Sequence, residues 1–173
     1  MALSYHSASG SGTADRLPES AGAPWRCPAM TLSGDYQPSP SSWVRDQVEL
    51  YERTGGVEGN LMQGKPIVVI TSRGARSGKL RKNPVMRVEH DGAYAAVASK
   101  GGAPDHPSWF FNLVADPHVD LQDGPEPAAF TARLVEGAER EEWWERAVAA
   151  FPPYAGYQVK TDRQIPVFVL ERD

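Results

Sequence analysis

One segment of the chain constrains its fold more than any other, because an apolar stretch runs directly into a basic stretch that contains glycines. Residues 65–71 are mostly β-branched and apolar, a composition that predicts a short buried strand. Pro84 ends the basic stretch and disfavours a helix there, and the apolar residues between 85 and 90 predict a second strand. The basic stretch is therefore predicted to be the loop of a β-hairpin.

A strand followed by glycines and basic residues also suggests a phosphate-binding P-loop, but the spacing excludes that motif. A P-loop has four residues between its first glycine and a Gly-Lys pair, which is then followed by Ser or Thr. Here three residues separate Gly74 from Gly78, and Leu80 follows Lys79. An anion held by this loop must be bound in another arrangement.

The charge of the loop differs from that of the rest of the chain. Five basic residues and no acidic one lie between Arg73 and Lys82, whereas the whole chain has a formal net charge of −4. A local basic cluster on an acidic protein favours a small anionic ligand over a long polyanion. Arg76 and Arg81 are the candidates for bidentate contacts with phosphate oxygens. The alternative for this segment alone is a solvated hairpin tip.

Other kinds of site find little support in the sequence. The histidines are scattered without the spacing of metal ligands, and Cys27 is the only cysteine. No metal site and no internal disulfide bond are therefore predicted. Ser99 lies at a predicted strand end beside two glycines, but it lacks the Gly-x-Ser-x-Gly turn of a serine hydrolase.

The spacing of apolar residues predicts six strands and three helices. The strands are expected at residues 65–73, 80–90, 93–99, 117–123, 127–136 and 165–170, and the helices at 42–53, 107–115 and 139–151. Trp43 is expected in the buried stripe of the first helix, and Trp144 and Phe151 in that of the last. Tyr154 and Tyr157 fall in a proline-rich stretch predicted to be neither helix nor strand, where they are candidates for a pocket wall.

Residues 1–42 differ in composition from the rest of the chain. They are rich in Ser, Ala, Gly and Pro, which predicts a disordered or linker-like tail before a single domain at residues 43–173. Met30 is a candidate for the true start. The tail lacks the pattern of a signal peptide and no stretch resembles a membrane span, so a cytoplasmic location is expected and membrane contact is not indicated.

Several separated motifs occur in an order that indicates a family. They are RGARSGKLRKNP at 73–84, ASKGG at 98–102, HPSWFFNLVADP at 106–117, FPPYAGY at 151–157 and TDRQIP at 161–166. Across residues 32–171 the chain resembles the actinobacterial deazaflavin-dependent nitroreductases, whose cofactor is the reduced deazaflavin coenzyme F420. Each motif alone is a weak signal, and their shared order makes the resemblance specific.

The resemblance implies a mainly β fold with flanking helices, namely a split β-barrel of the FMN-binding type. It also implies hydride transfer from reduced F420 to a planar, electron-poor acceptor such as a quinone or a nitroaromatic. The catalytic candidates are Tyr154 and Tyr157, which the resemblance places facing the acceptor, and Ser99, which it places against the coenzyme. The residues that the resemblance implies for F420 binding are Arg76, Ser77, Arg81, Lys82, Asn83, Pro84, Val85, Met86, Val97, Ala98, Ser99, Lys100, Ser108, Trp109 and Asn112.

Two positions depart from the pattern of the family. Met86 and Phe151 stand where the best-known nitroreductase members carry tyrosines, which favours quinone reduction over nitroimidazole activation. Three alternatives stay open: an FMN-dependent oxidoreductase of the same barrel type, a carrier that binds deazaflavin without turnover, and a nucleic-acid-binding barrel. The acidic remainder of the chain disfavours the last of these. The sequence does not indicate whether the protein is a monomer or a dimer.

Overall fold

The structure is a computed structural model that describes residues 31–173. Within these residues the chain forms one antiparallel sheet of eight strands, four α-helices and a short 3₁₀ turn at Lys100–Gly102. The strands are β1 (Leu61–Met62), β2 (Lys65–Arg73), β3 (Leu80–Met86), β4 (Glu89–His90), β5 (Ala93–Val97), β6 (His118–Gln122), β7 (Pro127–Leu134) and β8 (Val167–Arg172). The helices are α1 (Ser42–Arg53), α2 (Ser108–Ala115), α3 (Gly137–Ala150) and α4 (Pro153–Val159). In this part of the chain, no helix has the length and apolar character needed to cross a membrane.

The sheet curls into a barrel. The barrel is closed where the chain passes from β3 to β4 and pairs with β5, and it is open where residues 80–86 of β3 face β5 without pairing. The strand order of the sheet is β1-β2-β6-β7-β8-β5-β4, and β3 pairs with β2 as a hairpin. The chain continues from β3 into β4, which pairs with β5, and the Ala95 N–H donates to the Val88 carbonyl at 2.8 Å. Within the described residues, no ladder joins residues 80–86 of β3 to β5. The barrel is thus split between β3 and β5, and the predicted fold class is confirmed.

Two apolar clusters stabilise the two faces of this sheet. One fills the barrel, because all six long strands contribute to it, and Trp109 and Leu113 of α2 complete it. The other lies on the outer face, where residues of β2, β3, β5 and β8 pack against α1, α3 and α4. Successive side chains of β2 point to opposite faces of the sheet, so Val68 belongs to the cluster inside the barrel and Val69 to the outer cluster. Full burial of one such side chain contributes roughly 1.5–3 kcal/mol.

Pro84 lies in the middle of β3, where a proline normally disrupts pairing. The Arg87 N–H donates to the Pro66 carbonyl at 2.9 Å, so the odd-numbered residues of β3 direct their backbone groups toward β2. The even-numbered residues direct theirs the other way, as Leu80 does when its N–H donates to the Asp35 carbonyl at 2.8 Å. The N–H that Pro84 lacks would therefore have faced away from β2, and the ladder loses no bond.

The differences from the predicted elements have local causes. The strand predicted at 80–90 is divided into β3 and β4, and Trp43 on α1 is 56% exposed instead of buried. Trp143 is the buried tryptophan of α3, whereas Trp144 is half-buried and packs against the edge of the same outer cluster. The buried Arg140 lies on the same face as Trp143 and donates to the Ile165 carbonyl at 2.8 Å. The proline-rich stretch predicted to be irregular forms α4, since a proline at the first helical position favours a helix start.

Residues 31–41 were expected to belong to a linker-like tail, yet they make specific contacts with the barrel. The Leu32 N–H donates to Asp120 Oδ2 at 2.9 Å, and the Gln37 N–H donates to the Leu80 carbonyl at 2.9 Å. These partners lie far away in the sequence, so composition did not reveal them. The predicted tail at 1–30, with Cys27 and the candidate start Met30, lies outside the described residues.

Asp120, which accepts the hydrogen bond from Leu32, is a buried carboxyl group whose ionisation can be tested. Its carboxylate is buried, and burial raises the pKa of Asp120 above the ordinary value of 3.8. Because the unfolded chain ionises this group at a lower pH than the folded protein, ionisation reduces stability as pH rises through the raised pKa. The Asp120→Asn variant cannot ionise at this position.

The free energy of unfolding of Asp120→Asn should therefore rise relative to that of the wild type as pH rises above 3.8, the ordinary pKa of this carboxyl group. Each tenfold difference in proton affinity between folded and unfolded Asp120 contributes about 1.4 kcal/mol to this change. Urea unfolding of both proteins at several pH values measures it. If the difference in free energy of unfolding between Asp120→Asn and the wild type decreases with pH, or stays constant, the pKa of Asp120 is not raised in the folded protein.

Candidate active site

Two adjoining cavities lie at the split between β3 and β5. Their volumes are ≈ 450 Å³ and ≈ 610 Å³, and Lys100 and Ser108 line both of them. Volumes in this range are typical of small-molecule sites. We call the first the apolar cavity, because most of its lining residues are apolar or aromatic. We call the second the polar cavity, because residues 74–77 of the basic loop (residues 74–79) line it.

The apolar cavity occupies the split itself, so both strand edges and several helices contribute to its walls. Its position explains why residues distant in sequence converge there. The walls comprise Asn83, Pro84, Val85 and Met86 of β3, Val97 and Ser99 at the end of β5, Trp43 of α1, Trp109 of α2, Phe151 before α4, and Tyr154 and Tyr157 within α4.

An aromatic cluster forms the wall of the apolar cavity on the side of α4. The rings of Phe151 and Tyr154 meet edge to face with centroids 5.0 Å apart, and Tyr157 lies 6.2 Å from Tyr154. Tyr154 is only 4% exposed, and burial raises the pKa of its phenol well above 10. Its hydroxyl group is therefore a protonated hydrogen-bond donor at neutral pH, on a residue that lines the cavity.

The polar cavity has an excess of positive charge. Arg76, Arg81 and Lys100 line it, and Asp105 is the only carboxylate among its lining residues. Lys100 forms an ion pair with Asp105, whereas neither arginine has a carboxylate partner among the described residues. The N-terminus of α2 lies at the same cavity, because Ser108 lines it. Two unpaired guanidinium groups and a helix N-terminus favour an anionic ligand.

The basic loop is held in one conformation by backbone bonds and by Asn112. The Gly74 N–H donates to the Lys79 carbonyl at 2.8 Å, and the Gly78 N–H donates to the Gly74 carbonyl at 2.9 Å. The buried Asn112 accepts a hydrogen bond from the Ala75 N–H at 2.9 Å through Oδ1. Asn112 therefore fixes the loop to α2 in addition to lining the polar cavity.

Only part of the basic cluster faces the cavities. Arg73 donates to the Ser33 carbonyl at 3.2 Å and lies 3.7 Å from Asp116, so it ties the loop to the segment before α1 and to the end of α2. Lys82 forms an ion pair with Glu52 of α1, on the face of β3 opposite to Arg81. Lys82 thus lies away from both cavities, contrary to the resemblance.

Ala98 is the other predicted cofactor residue that lines neither cavity. It is fully buried inside the barrel, where its methyl group packs in the interior cluster. The remaining predicted residues all lie at one cavity or the other. Those at the polar cavity are Arg76, Ser77, Arg81, Lys100, Ser108 and Asn112, and those at the apolar cavity include Asn83, Pro84, Val85, Met86, Val97, Ser99 and Trp109.

A tight backbone segment at residues 99–102 connects the two cavities. Lys100, Gly101 and Gly102 all have positive φ angles, of 46°, 66° and 84°. A Cβ atom at Gly102 would lie 2.6 Å from the Tyr157 carbonyl oxygen, so this glycine packs directly against α4. The segment that carries Ser99 and Lys100 is therefore in contact with the helix that carries the aromatic wall.

Some lining residues were not predicted from the sequence. Trp43, Met62 and Gln63 line the apolar cavity, and Asp105 and His106 line the polar cavity. Trp43 was assigned to the core because it continues an apolar stripe. The available signal was its position in the first turn of α1, where a stripe often runs past the core. Among the described residues, no cluster of His, Cys, Asp and Glu has the arrangement of a metal site.

Comparison with known proteins gives consistent matches. The family model for F420H(2)-dependent quinone reductases matches residues 43–172. An F420H(2)-dependent quinone reductase of Mycobacterium tuberculosis is 33% identical over 127 residues, which cover 71% of this chain and 85% of that protein. The solved structure of the F420-H2 dependent reductase FDR-A is 61% identical with a TM-score of 0.59, covering 61% of this chain and 94% of its own. A solved domain-swapped dimer is 56% identical with a TM-score of 0.61, covering 77% of this chain and 100% of its own.

The contact between Gly102 and α4 predicts unequal effects of two neighbouring substitutions. Gly101→Ala places a methyl group in open space, so only its positive φ angle of 66° is unfavourable, at about 1–2 kcal/mol. Gly102→Ala has the same disadvantage and also a clash with the Tyr157 carbonyl, which should bring the loss of stability to about 3 kcal/mol or more. Chemical denaturation of both variants measures the difference, and equal losses would contradict the packing described.

Proposed function

The chain belongs to the F420H(2)-dependent quinone reductase family, and we propose that it reduces a quinone with hydride from reduced F420. The observation that carries this proposal is the pairing of an aromatic cavity with a basic cavity at the open side of the barrel. A deazaflavin that carries a phosphodiester chain needs a flat apolar site for its ring and an adjoining cationic site for its chain. The two cavities meet both needs.

The residues of this chain fit such a ligand. Arg76 and Arg81 have no carboxylate partner among the described residues, so a bound phosphodiester would supply their missing counter-charge. The ring would lie along residues 83–86 of β3 and against Trp109. Ser108 lines both cavities and is placed to contact the ligand where the chain meets the ring. When bound, reduced F420 supplies the hydride, and the protein supplies position and environment.

The chain's own part in the reaction is to orient the acceptor, to exclude water and to stabilise charge. The aromatic wall gives a flat quinone a surface on which to stack, and it replaces water with apolar side chains. Negative charge develops on the acceptor oxygen as hydride arrives. The Tyr154 phenol, which burial keeps protonated, and the Ser99 hydroxyl are hydrogen-bond donors at this cavity.

Two lining residues favour a quinone over a nitro compound. Met86 and Phe151 both line the apolar cavity, at positions where the nitroreductases that the chain resembles carry tyrosines. The cavity therefore has fewer hydroxyl groups with which to orient a nitro group. A quinone accepts hydride with fewer specific donors to position it. We propose a quinone as the preferred acceptor, with residues 43–173 as the domain that binds the coenzyme.

A binding and turnover experiment tests the proposed function. The purified protein is titrated separately with F420 and FMN while fluorescence is followed, and oxidation of reduced F420 is then measured with menadione and with a bicyclic nitroimidazole. The expected result is binding of F420, and faster oxidation by the quinone. Binding of FMN in place of F420 would instead indicate a flavin enzyme, and F420 binding without turnover would indicate a carrier.

The polar cavity predicts which arginines bind the coenzyme. Arg76→Ala and Arg81→Ala should each weaken F420 binding roughly 10- to 150-fold, the range for a lost hydrogen bond to a charged group. Lys79→Ala is the matched control, because Lys79 is an exposed cation of the same loop that lines neither cavity. Dissociation constants at two salt concentrations measure the effect. Equal losses in all three variants would indicate a general field effect and no specific contact.

The aromatic wall predicts a separate effect on the acceptor. Tyr154→Phe and Tyr157→Phe keep the rings in place and remove only hydroxyl groups, so the free energy of unfolding should change by less than about 1 kcal/mol. Affinity for F420 should also be retained. Turnover with menadione should fall in Tyr154→Phe by roughly tenfold, because a donor to the developing oxyanion is lost. A large loss of stability in both variants would show that these hydroxyl groups stabilise the protein core.

A further inference from the structure

Arg163 follows α4 and precedes β8, and it lines neither cavity, yet its side chain makes four hydrogen bonds to residues 98–106, which include the segment that connects the cavities. Its guanidinium donates to the carbonyl oxygens of Ala98 at 3.1 Å, Ser99 at 2.9 Å and Ala103 at 2.9 Å. The fourth bond is to His106 Nδ1, at 3.0 Å from Nη1. No carboxylate forms an ion pair with Arg163 in the described part of the chain, so its bonding is directed to this segment.

The bond between Arg163 and His106 determines where the histidine carries its proton. A guanidinium group has five N–H donors, no acceptor and a permanent charge, so Nδ1 of His106 must be the acceptor. The imidazole is then neutral, with its single proton on Nε2. Burial and the adjacent Arg163 charge both lower the pKa of His106, which agrees with a neutral ring at pH 7.

The ring of His106 is also fixed in direction. It stacks on Phe110 with centroids 4.1 Å apart, and Phe111 meets it edge-on at 6.0 Å. His106 lines the polar cavity together with Arg76 and Arg81. Since Nδ1 is occupied by Arg163, the nitrogen left to interact with a ligand is Nε2.

We propose that His106 donates a hydrogen bond from Nε2 to an anionic oxygen of the coenzyme's phosphate-bearing chain, and that Arg163 is the positioning residue that fixes this tautomer. The inference rests on the proposed function for the identity of the ligand. The tautomer itself follows from the protein alone. Donation from Arg163 into Nδ1 polarises the ring, which makes the Nε2–H a stronger donor than that of an isolated neutral histidine.

Arg163 can therefore influence ligand binding without touching the ligand. Its guanidinium group is fixed by three carbonyl groups and by His106, and it polarises the imidazole ring so that the Nε2–H at the cavity becomes a stronger donor. Arg76 and Arg81 supply charge, whereas a neutral donor of fixed direction supplies a contact that depends on geometry. The TDRQIP segment, which includes Arg163, thereby acquires a role in binding although it lines neither cavity.

Two substitutions at His106 test the roles of its two ring nitrogens separately. In His106→Asn the side-chain oxygen replaces Nδ1 as acceptor for Arg163, but no donor stands at the position of Nε2. In His106→Gln the longer amide places an N–H near the position of Nε2, but no acceptor stands at that of Nδ1. Both side chains are uncharged and polar, so the pair controls for loss of the imidazole ring.

The tautomer is first read in the ligand-free wild type by long-range ¹H–¹⁵N correlation NMR of the histidine ring. The spectrum should show a protonated Nε2 and a bare Nδ1 at pH 7. Affinity for F420 should then fall roughly tenfold or more in His106→Asn, and by clearly less in His106→Gln. Neither variant should differ from the wild type in affinity for a deazaflavin ribitol that lacks the phosphodiester chain.

A proton on Nδ1 in the wild type, or equal F420 affinity of His106→Asn and the wild type, would overturn the proposal. A loss that is the same for the ribitol compound would also overturn it, because the contact would not involve the phosphate. Pyrophosphate is the independent probe. If the wild type fails to bind F420 while pyrophosphate still shifts the His106 Nε2–H resonance, the proposed function fails and the anion-donor role stands.

Discussion

The outer edge of β3 beyond Leu80, which has no strand partner among the described residues, is the constraint on which the rest of the structure depends. A barrel that left this edge open without compensation would expose backbone groups that pair readily with another chain. Pro84 removes one donor from that edge, and the adjacent corner is fixed by Asp123, which accepts from the Tyr94 hydroxyl at 2.7 Å and from Arg87 Nε at 2.8 Å. Burial raises the pKa of Tyr94 to about 12, so this hydroxyl remains a donor at neutral pH. The closed corner allows the split beside it to stay open as a cavity.

The basic loop shows how one run of charge serves two purposes. Arg73 and Lys82 have carboxylate partners within the protein, so they contribute to holding the hairpin against α1 and α2. Arg76 and Arg81 line the polar cavity without such partners among the described residues, and they are the ones able to accept an external anion. This division also argues against nucleic acid as the ligand, because too few cations remain free to form a wide basic surface.

Local rules predicted the hairpin and its loop, because strand periodicity and the positions of Gly and Pro act over a few residues. The split-barrel class followed from the resemblance of the ordered motifs to a known family. The local rules failed where a distant contact decides the outcome. The bond from Leu32 to Asp120 spans 88 residues, and composition alone therefore assigned residue 32 to a linker. Lys82 is a different kind of failure: the alternation along β3 separates it from Arg81, but the motif carried both together. Trp43 looked like a core residue because a helical stripe does not show where the core ends.

The segment from Ala98 to His106 is what makes the two cavities one site. Arg163 binds its carbonyl oxygens at three points, and Gly102 packs against the Tyr157 backbone, so this segment and α4 are held together. The aromatic wall of the apolar cavity is consequently positioned by the same backbone that places Lys100 at both cavities. This coupling gives a physical reason for the motifs at 98–102, 151–157 and 161–166 to occur together, because each contributes to one set of contacts around residues 98–106.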